Sequence, residues 1–339
     1  MKNEIISVGL VGYGLAGSVF HAPLIRACSR MELAAILTSR EAPDRVQSLE
    51  ALIERSDLVV IASPNTSHFA IAKQALEAGR HVVVDKPFTV TIGQADELIV
   101  LATRQQRVLS VFHNRRWDSD FLTLSKLLPH LGDVFLVEAH WDRFRPAIKA
   151  GWREAPEPGG GLLSDLGPHL VDQALELFGM PEAIDADIAA QRDGAAVDDY
   201  FDLKLHYGRA RVCLRSSTLV AASRPRFAVH GTGGSFVKYG LDPQESQLKA
   251  GLDPRDPIFG TDPTAGTWTH PDARREPVPN TRGDYLAYYR AIADAILKGA
   301  PAPVAPGDAR KGLVLIDLAR AAAQQGRRLP VKDASSRGD

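Results

Sequence analysis

Three side chains in this sequence can move protons around a carbon–oxygen bond. Lys86 stands between Asp85 and Pro87, directly after the apolar run His81 to Val84, and Asp165 precedes His169 by four positions. Each fragment is weak alone. Both lie downstream of Gly12-Tyr13-Gly14-Leu15-Ala16-Gly17, a glycine-rich turn of the kind that holds a dinucleotide pyrophosphate. Proton-transfer groups beside such a site point to hydride exchange with an alcohol or a ketone. His169 is the natural general base near neutral pH. A lysine at a strand end can donate to a substrate oxygen and favour alkoxide character. Asp165 either orients the histidine or meets substrate hydroxyls. The competing structural reading is an acid satisfying a helix dipole beside a packed histidine. A metal pair lacks an evident third ligand, so no metal is expected.

The elements that must position these residues are legible in outline. Ile5 to Val11, Leu33 to Leu37, Leu58 to Ala62, His81 to Val84 and Val108 to Phe112 are short apolar, β-branched runs, the signature of buried parallel strands. Helical stretches alternate with them: Ser18 to Cys28, with Pro23 near its start, His68 to Ala78, and Ile92 to Thr103. This alternation predicts a doubly wound Rossmann sheet over residues 1–117. Between Arg40 and Asp57 there is room for one helix, Ser48 to Arg55 with Ser48 as N-cap, and a brief strand at Val46. The second crossover is abbreviated.

After Arg116 the pattern changes. Val134 to Trp141, Ile184 to Gln191, Tyr200 to His206, Arg211 to Ser217 and Phe227 to His230 read as strands, with turn signals at Tyr207-Gly208-Arg209 and Gly231-Thr232-Gly233-Gly234. They predict an α+β domain with a mostly antiparallel open sheet over 118–330, followed by a tail at 331–339. A helix starting near Leu163 puts Asp165 and His169 on one face, provided Pro168 falls in its first turn. Leu241 to Pro279 reads as a loosely structured excursion. Helices at Asp284 to Lys298 and Asp308 to Gln325 close the chain.

Within the glycine turn, Gly12 permits the tight bend, Gly14 lets backbone approach a pyrophosphate, and Gly17 allows close helix–strand packing. The helix N-terminus that follows offers free N–H groups to phosphate. Cofactor choice is read at the end of the second strand. An acid there favours NAD; this chain has Thr38-Ser39-Arg40. Ser39 and Arg40 suit a 2′-phosphate, so NADP is expected over NAD, with Glu41 as the rival ribose-binding acid. Ser63, Pro64, Asn65 and His68, together with His113, Asn114, Arg115 and Arg116, follow strand ends and can line the nicotinamide and substrate side. Trp141, Arg143, Arg145, Trp152 and Arg153 mix flat apolar faces with donors, which suits a polyol or a domain interface. Tyr285, Tyr288 and Tyr289 at helical spacing are read as packing.

Composition narrows the class. The chain has 339 residues, 45% hydrophobic and 24% charged, with a formal net charge of −1. That length implies two domains. Near-neutral charge gives no field favouring nucleic acid. No apolar run approaches the ~20 residues of a membrane span, and no leader is visible. Two cysteines, Cys28 and Cys213, fit no metal-ligand spacing. A cytoplasmic protein without membrane or nucleic-acid partners is expected.

The chain resembles the Gfo/Idh/MocA oxidoreductase family over nearly its whole length. The landmarks are Val11-Gly12-Tyr13-Gly14, Pro64-Asn65-Thr66-Ser67-His68, Val83-Val84-Asp85-Lys86-Pro87 and Gly161-Leu162-Leu163-Ser164-Asp165-Leu166-Gly167-Pro168-His169. Asp85 departs from the glutamate usual in the family. The resemblance implies Lys86, Asp165 and His169 as the catalytic set. It also implies cofactor contacts from Gly12 to Gly17, Ser39, Arg40, Ser63, Pro64, Asn65, His68, Asp85, Lys86, Asn114 and Arg115. Substrate contacts are implied at Lys86, His113, Arg116, Arg143, Trp152, Arg153, Asp165 and His169. Longer stretches, Gly14 to His21, Thr38-Ser39-Arg40, Leu109 to Asp120, Arg143 to Pro146 and Val237 to Glu245, are similar to NADP-dependent scyllo-inositol dehydrogenases within the family. This implies a cyclic polyol or sugar substrate and a homodimer or homotetramer. Reduction of another sugar or small ketone, or a non-catalytic NADP-sensing role, are the alternatives.

Overall fold

The computed structural model describes residues 5–149, 151, 154–156 and 159–332. In chain order the first elements are β1 (Ile6–Val11), α1 (Ala22–Ala27), β2 (Met31–Leu37), β3 (Arg45–Val46), α2 (Leu49–Glu54), β4 (Leu58–Ile61), α3 (His68–Glu77), β5 (His81–Asp85), α4 (Ile92–Gln105) and β6 (Leu109–Phe112). Then come α5 (Ser119–Leu127), β7 (Val134–His140), α6 (Leu162–Phe178), β8 (Ala183–Ala189), β9 (Tyr200–Tyr207), β10 (Ala210–Ser217), β11 (Phe227–Gly231) and β12 (Gly234–Lys238). The chain closes with α7 (Gln244–Lys249), β13 (Gly266–Thr269), β14 (Arg275–Val278), α8 (Leu286–Lys298), α9 (Pro306–Gln325) and β15 (Leu329–Pro330).

The chain divides into two compact units. The first gathers the described parts of 1–119 with 242–261 and 282–310; the second holds 120–241, 262–281 and the described part of 311–339.

The first unit is built on a six-stranded parallel sheet of order β3-β2-β1-β4-β5-β6. Its central strands are apolar on both faces because helices cover both: Val8, Leu10, Val59, Val60, Val82, Val83 and Val84 are all fully buried. The strand order reverses between β1 and β4, and ligands of open α/β sheets bind at the carboxyl ends of such a switch point. The short second crossover is real: β3 has two residues, and Ser48 caps α2 by accepting from the Ala51 amide at 3.2 Å. The chain after the glycine turn winds as a π-helical turn over Ala16–His21 before α1, so Pro23 falls in the first turn of α1, where its missing N–H is harmless.

The second unit carries a nine-stranded sheet of order β14-β13-β12-β11-β7-β10-β9-β8-β15. Its pairings are antiparallel except β10 with β7. One core joins strand residues such as Val137, Leu203, Leu205, Val212 and Val229 to Leu163, Leu170 and Val171 of α6 and to Leu315 and Ala319 of α9.

Two expectations are corrected. Pro168 is not confined to the first turn of its helix; it sits inside α6. It removes the hydrogen bond to the Ser164 carbonyl, and α6 continues because a nearly continuous run from Leu162 to Ala174 is buried. The stretch 241–279 is not a loose excursion either. It supplies α7, and its β13 and β14 extend the second sheet as a hairpin next to β12. Alternating Thr267, Trp268 and Thr269 is too short a signal to outweigh the surrounding Pro, Gly and Asp.

Candidate functional site

In the first unit the glycine turn stands at the sheet's carboxyl edge. Gly12 has φ +93°, and a Cβ there would come within 2.6 Å of the Ala62 carbonyl oxygen beyond β4. A Cβ on Gly17 would lie 2.1 Å from the Gly12 carbonyl oxygen. At Gly14, by contrast, a Cβ would meet nothing within 4 Å. Two glycines are required by the protein itself, and the third leaves open space. That is the pattern of a cradle into which a pyrophosphate's oxygens can settle against backbone N–H groups. The residues present fit a nicotinamide dinucleotide.

At the end of β2 the Arg40 amide donates to Thr38 Oγ1 at 3.1 Å, and the Ser39 and Arg40 side chains are exposed. Tyr13 is half-buried and Leu15 is exposed beside the cradle. Next along the edge, Ser63 and Ser67 share a hydroxyl hydrogen bond of 2.7 Å. His68 is buried and bridges two loops, with Nε2 3.0 Å from the Ser63 carbonyl and Nδ1 2.9 Å from the Pro87 carbonyl. Burial pushes its imidazole pKa down, against the pull of Asp85. His68 thereby ties the loop after β4, which includes Pro64 and half-buried Asn65, to the turn that carries Lys86.

Asp85 ends β5. Its Oδ1 accepts the Lys86 amide at 2.7 Å, and its Oδ2 lies 3.7 Å from Nε2 of fully buried His21. His21 Nδ1 in turn meets the Tyr289 hydroxyl at 2.6 Å. Burial alone would raise the Asp85 pKa; His21 and Lys86 outweigh it and hold the carboxylate below its ordinary value. A buried Tyr289–His21–Asp85 chain thus ends under the lysine. Tyr285, Tyr288 and Tyr289 are all fully buried, and each hydroxyl is used internally: on Asp118, Ser110 and His21 respectively. His113, Asn114 and Arg115 follow β6 and are nearly fully buried, and Arg116 is half-buried. Arg115 donates to Tyr285 and to Glu245. That network anchors α7 and α8 to the first unit.

In the second unit Asp165 and His169 lie one helical turn apart on α6. Arg143 Nη1 is 3.3 Å from Asp165 Oδ2. The His169 ring stacks on Trp141 at 5.9 Å between centroids, 26° from parallel, and the Arg226 guanidinium lies 5.0 Å from the Trp141 ring. The start of α6 is fixed by Asp198. Its Oδ2 accepts the Leu163 amide at 2.6 Å and its carbonyl the Leu162 amide at 2.8 Å. Gly161, at φ +90°, is required because a Cβ there would strike Asp198 Oδ1 at 2.2 Å. Burial pushes the Asp198 carboxyl pKa up, against its amide donors. Arg192, almost fully buried, bonds Asp199 and Glu154 behind this helix start. A small cavity of about 60 Å³ opens beside Asp165, with Arg143, Arg145 and Thr218 in its wall. Trp152 and Arg153 lie outside the described residues.

Sequence reasoning did not single out His21, Tyr289, Arg192 or Asp198 as supports. No local pattern marks them. Among the described residues no three His, Cys, Asp or Glu side chains group as a metal site, and no helix is long and apolar enough to cross a membrane.

Residues 6–113 match the family model described as an oxidoreductase family, NAD-binding Rossmann fold, and residues 127–332 match its C-terminal alpha/beta domain. The chain belongs to the Gfo/Idh/MocA oxidoreductase family. It is a nicotinamide-dinucleotide-dependent oxidoreductase acting on CH–OH groups. It is similar to oxidoreductase YdgJ of Escherichia coli K12, 47% identical across 93% of this chain and 96% of the relative. It is also 40% identical to the scyllo-inositol 2-dehydrogenase (NADP(+)) IolW of Bacillus subtilis 168, across 95% of this chain and 94% of the relative. Among solved family structures, oxidoreductase YPO2259 of Yersinia pestis superposes with a TM-score of 0.93 at 46% identity, over 97% of this chain and 98% of the other.

Proposed function

We propose that this family member is an NADP-dependent dehydrogenase of a cyclic polyol or sugar secondary alcohol, with scyllo-inositol as the first substrate to try. The observation that carries the reading is Lys86 at the end of β5, on the same sheet edge as the glycine cradle and tied to the loop after β4 through His68. The exposed Ser39 and Arg40 at the end of β2 support NADP, since a guanidinium pairs with a phosphate through two charge-assisted bonds. A relative at 40% identity carries both NADP(+) and scyllo-inositol in its name.

His169 accepts the hydroxyl proton of the substrate, and Lys86 stabilises the resulting alkoxide by donating to its oxygen. Asp165, already paired with Arg143, orients His169 or a neighbouring hydroxyl. Trp141 holds the His169 ring plane by stacking. The bound nicotinamide supplies the acceptor for the hydride that leaves the same carbon. The reverse direction reduces an inosose-like ketone, with Lys86 and His169 returning the proton. We further propose a cytoplasmic homodimer or homotetramer, following the family resemblance and the two buried free cysteines.

The test is initial-rate NADPH or NADH formation over a panel of inositols and common sugars. Turnover of scyllo-inositol with NADP supports the reading. Turnover of no polyol or sugar with either dinucleotide rejects it.

A further inference from the structure

A second cavity lies in the first unit at the opposite end of the parallel sheet, where the strands begin. Its volume is about 430 Å³, within the range of small-molecule pockets, ~300–1,000 Å³. It is walled by the turns entering β4, β5 and β6 and by the last turn of α8. The apolar side is Ile5 and Ile6 at the start of β1 together with Ile296 and Leu297, the last two half-buried.

The polar side is rich in donors that the protein leaves unused. Arg80 Nε is buried and has no hydrogen-bond partner. A buried donor without a partner carries the full desolvation penalty and calls for an explanation. Arg107 uses Nε on the Gly79 carbonyl at 2.6 Å and Nη1 on Gln106, leaving Nη2. His81 Nδ1 accepts the Val108 amide at 2.9 Å, so neutral His81 carries its proton on Nε2, a third donor. Burial and then Arg107 push the His81 pKa down to about 4, which fixes that neutral form at physiological pH. Among the described residues Asp57 is the one carboxylate in the wall, and its Oδ2 is taken by the Ser7 hydroxyl and amide at 2.6 and 2.9 Å. Two guanidinium groups thus face one carboxylate.

We propose that this cavity is a second ligand site, which takes a small organic anion: a carboxylate or phosphate monoester on a short apolar body. The anion sits against Arg80, Arg107 and the His81 Nε2–H, and the apolar body against Ile296 and Leu297. The glycine cradle lies at the other end of the same strands, so the two sites load independently.

The test uses the full chain with saturating NADPH, which keeps phosphate probes out of the glycine cradle. Hexyl phosphate, hexanoate and inorganic phosphate are titrated calorimetrically at pH 7.5 into wild type, Arg80→Gln and Leu297→Glu. Arg80 Nε has no partner, and the Arg80 amide bond to the Ala75 carbonyl at 2.9 Å does not depend on the side chain, so Arg80→Gln leaves the fold intact. The expected result is binding of at least one hexyl probe, tighter than inorganic phosphate by about tenfold or more, weakened about tenfold or more in Arg80→Gln and also weakened in Leu297→Glu. Which hexyl probe binds assigns the head group. Failure of both hexyl probes to bind wild type, or equal binding by Arg80→Gln, overturns the proposal.

Discussion

Asp85 holds the lysine that follows it: its Oδ1 accepts the Lys86 amide at 2.7 Å while its Oδ2 faces buried His21 at 3.7 Å. The carboxylate fixes the backbone at the end of β5, and that in turn fixes where the Lys86 side chain starts. Replacing Asp85 by Ala removes a charge-assisted acceptor worth about 1.5–3 kcal/mol. Turnover should fall about 10- to 100-fold with KM little changed, and Asn, which keeps an acceptor, should fall less. Steady-state kinetics of the three proteins checks this; an unchanged kcat in Asp85→Ala contradicts it.

The three glycines of the cradle should separate fold from cofactor. Gly17→Ala drives a Cβ into the Gly12 carbonyl oxygen at 2.1 Å and should lower the melting temperature. Gly14→Ala meets nothing within 4 Å. It should leave the melting temperature of the ligand-free protein near wild type while weakening dinucleotide binding. Thermal unfolding with and without NADPH reads both, and a Gly14→Ala protein that binds like wild type contradicts the cradle.

Arg40→Asp should weaken NADP binding about 100-fold or more, because a phosphate partner is exchanged for a repelling charge. NAD binding should be unchanged or improved. Fluorescence titration of NADPH and NADH on both proteins decides it, and equal NADPH affinity sinks the assignment.

The pH dependence of stability has a definite sign at His81. Its folded pKa is lowered to about 4 by burial and by Arg107, below the ~6.5 of an unfolded histidine. Between those values the unfolded chain binds a proton that the folded one does not. Stability therefore falls as pH drops from about 6.5 to about 4, by on the order of 1–2 kcal/mol once solvent screening of the partly exposed ring is allowed for. His81→Gln, which keeps an acceptor for the Val108 amide and cannot titrate, should flatten that part of the curve. Denaturant unfolding at stepped pH checks the slope, and an equally steep loss in His81→Gln removes His81 as its source.

The sheet of the first unit was readable because parallel strands buried on both faces leave continuous runs such as Val82-Val83-Val84. The antiparallel strands β8 to β11 were readable from alternation and glycine turns. The segments 242–261 and 282–310 carry no local signal that they pack with the first unit. That packing rests on long-range bonds such as Ser119 N–H to Asp242 at 2.7 Å and the Ser110 hydroxyl to the Val304 carbonyl at 2.8 Å. Pro168 misled because helix propensity is a local rule, and the burial that carries α6 past it is not local. At the candidate site, the sequence named the residues with reactive ends, while His21, Tyr289 and Asp198 became visible only through the atoms they hold.

The central claim is that Lys86 and His169 move the proton of a secondary alcohol during hydride transfer. The most direct measurement is the single-turnover rate of NADPH formation with scyllo-inositol, or with the best polyol of the panel, in wild type, Lys86→Ala and His169→Ala across pH. The account predicts a loss of about 10²- to 10⁴-fold in each variant, with the pH dependence of the wild-type rate altered in both. Near-wild-type rates in both variants contradict it.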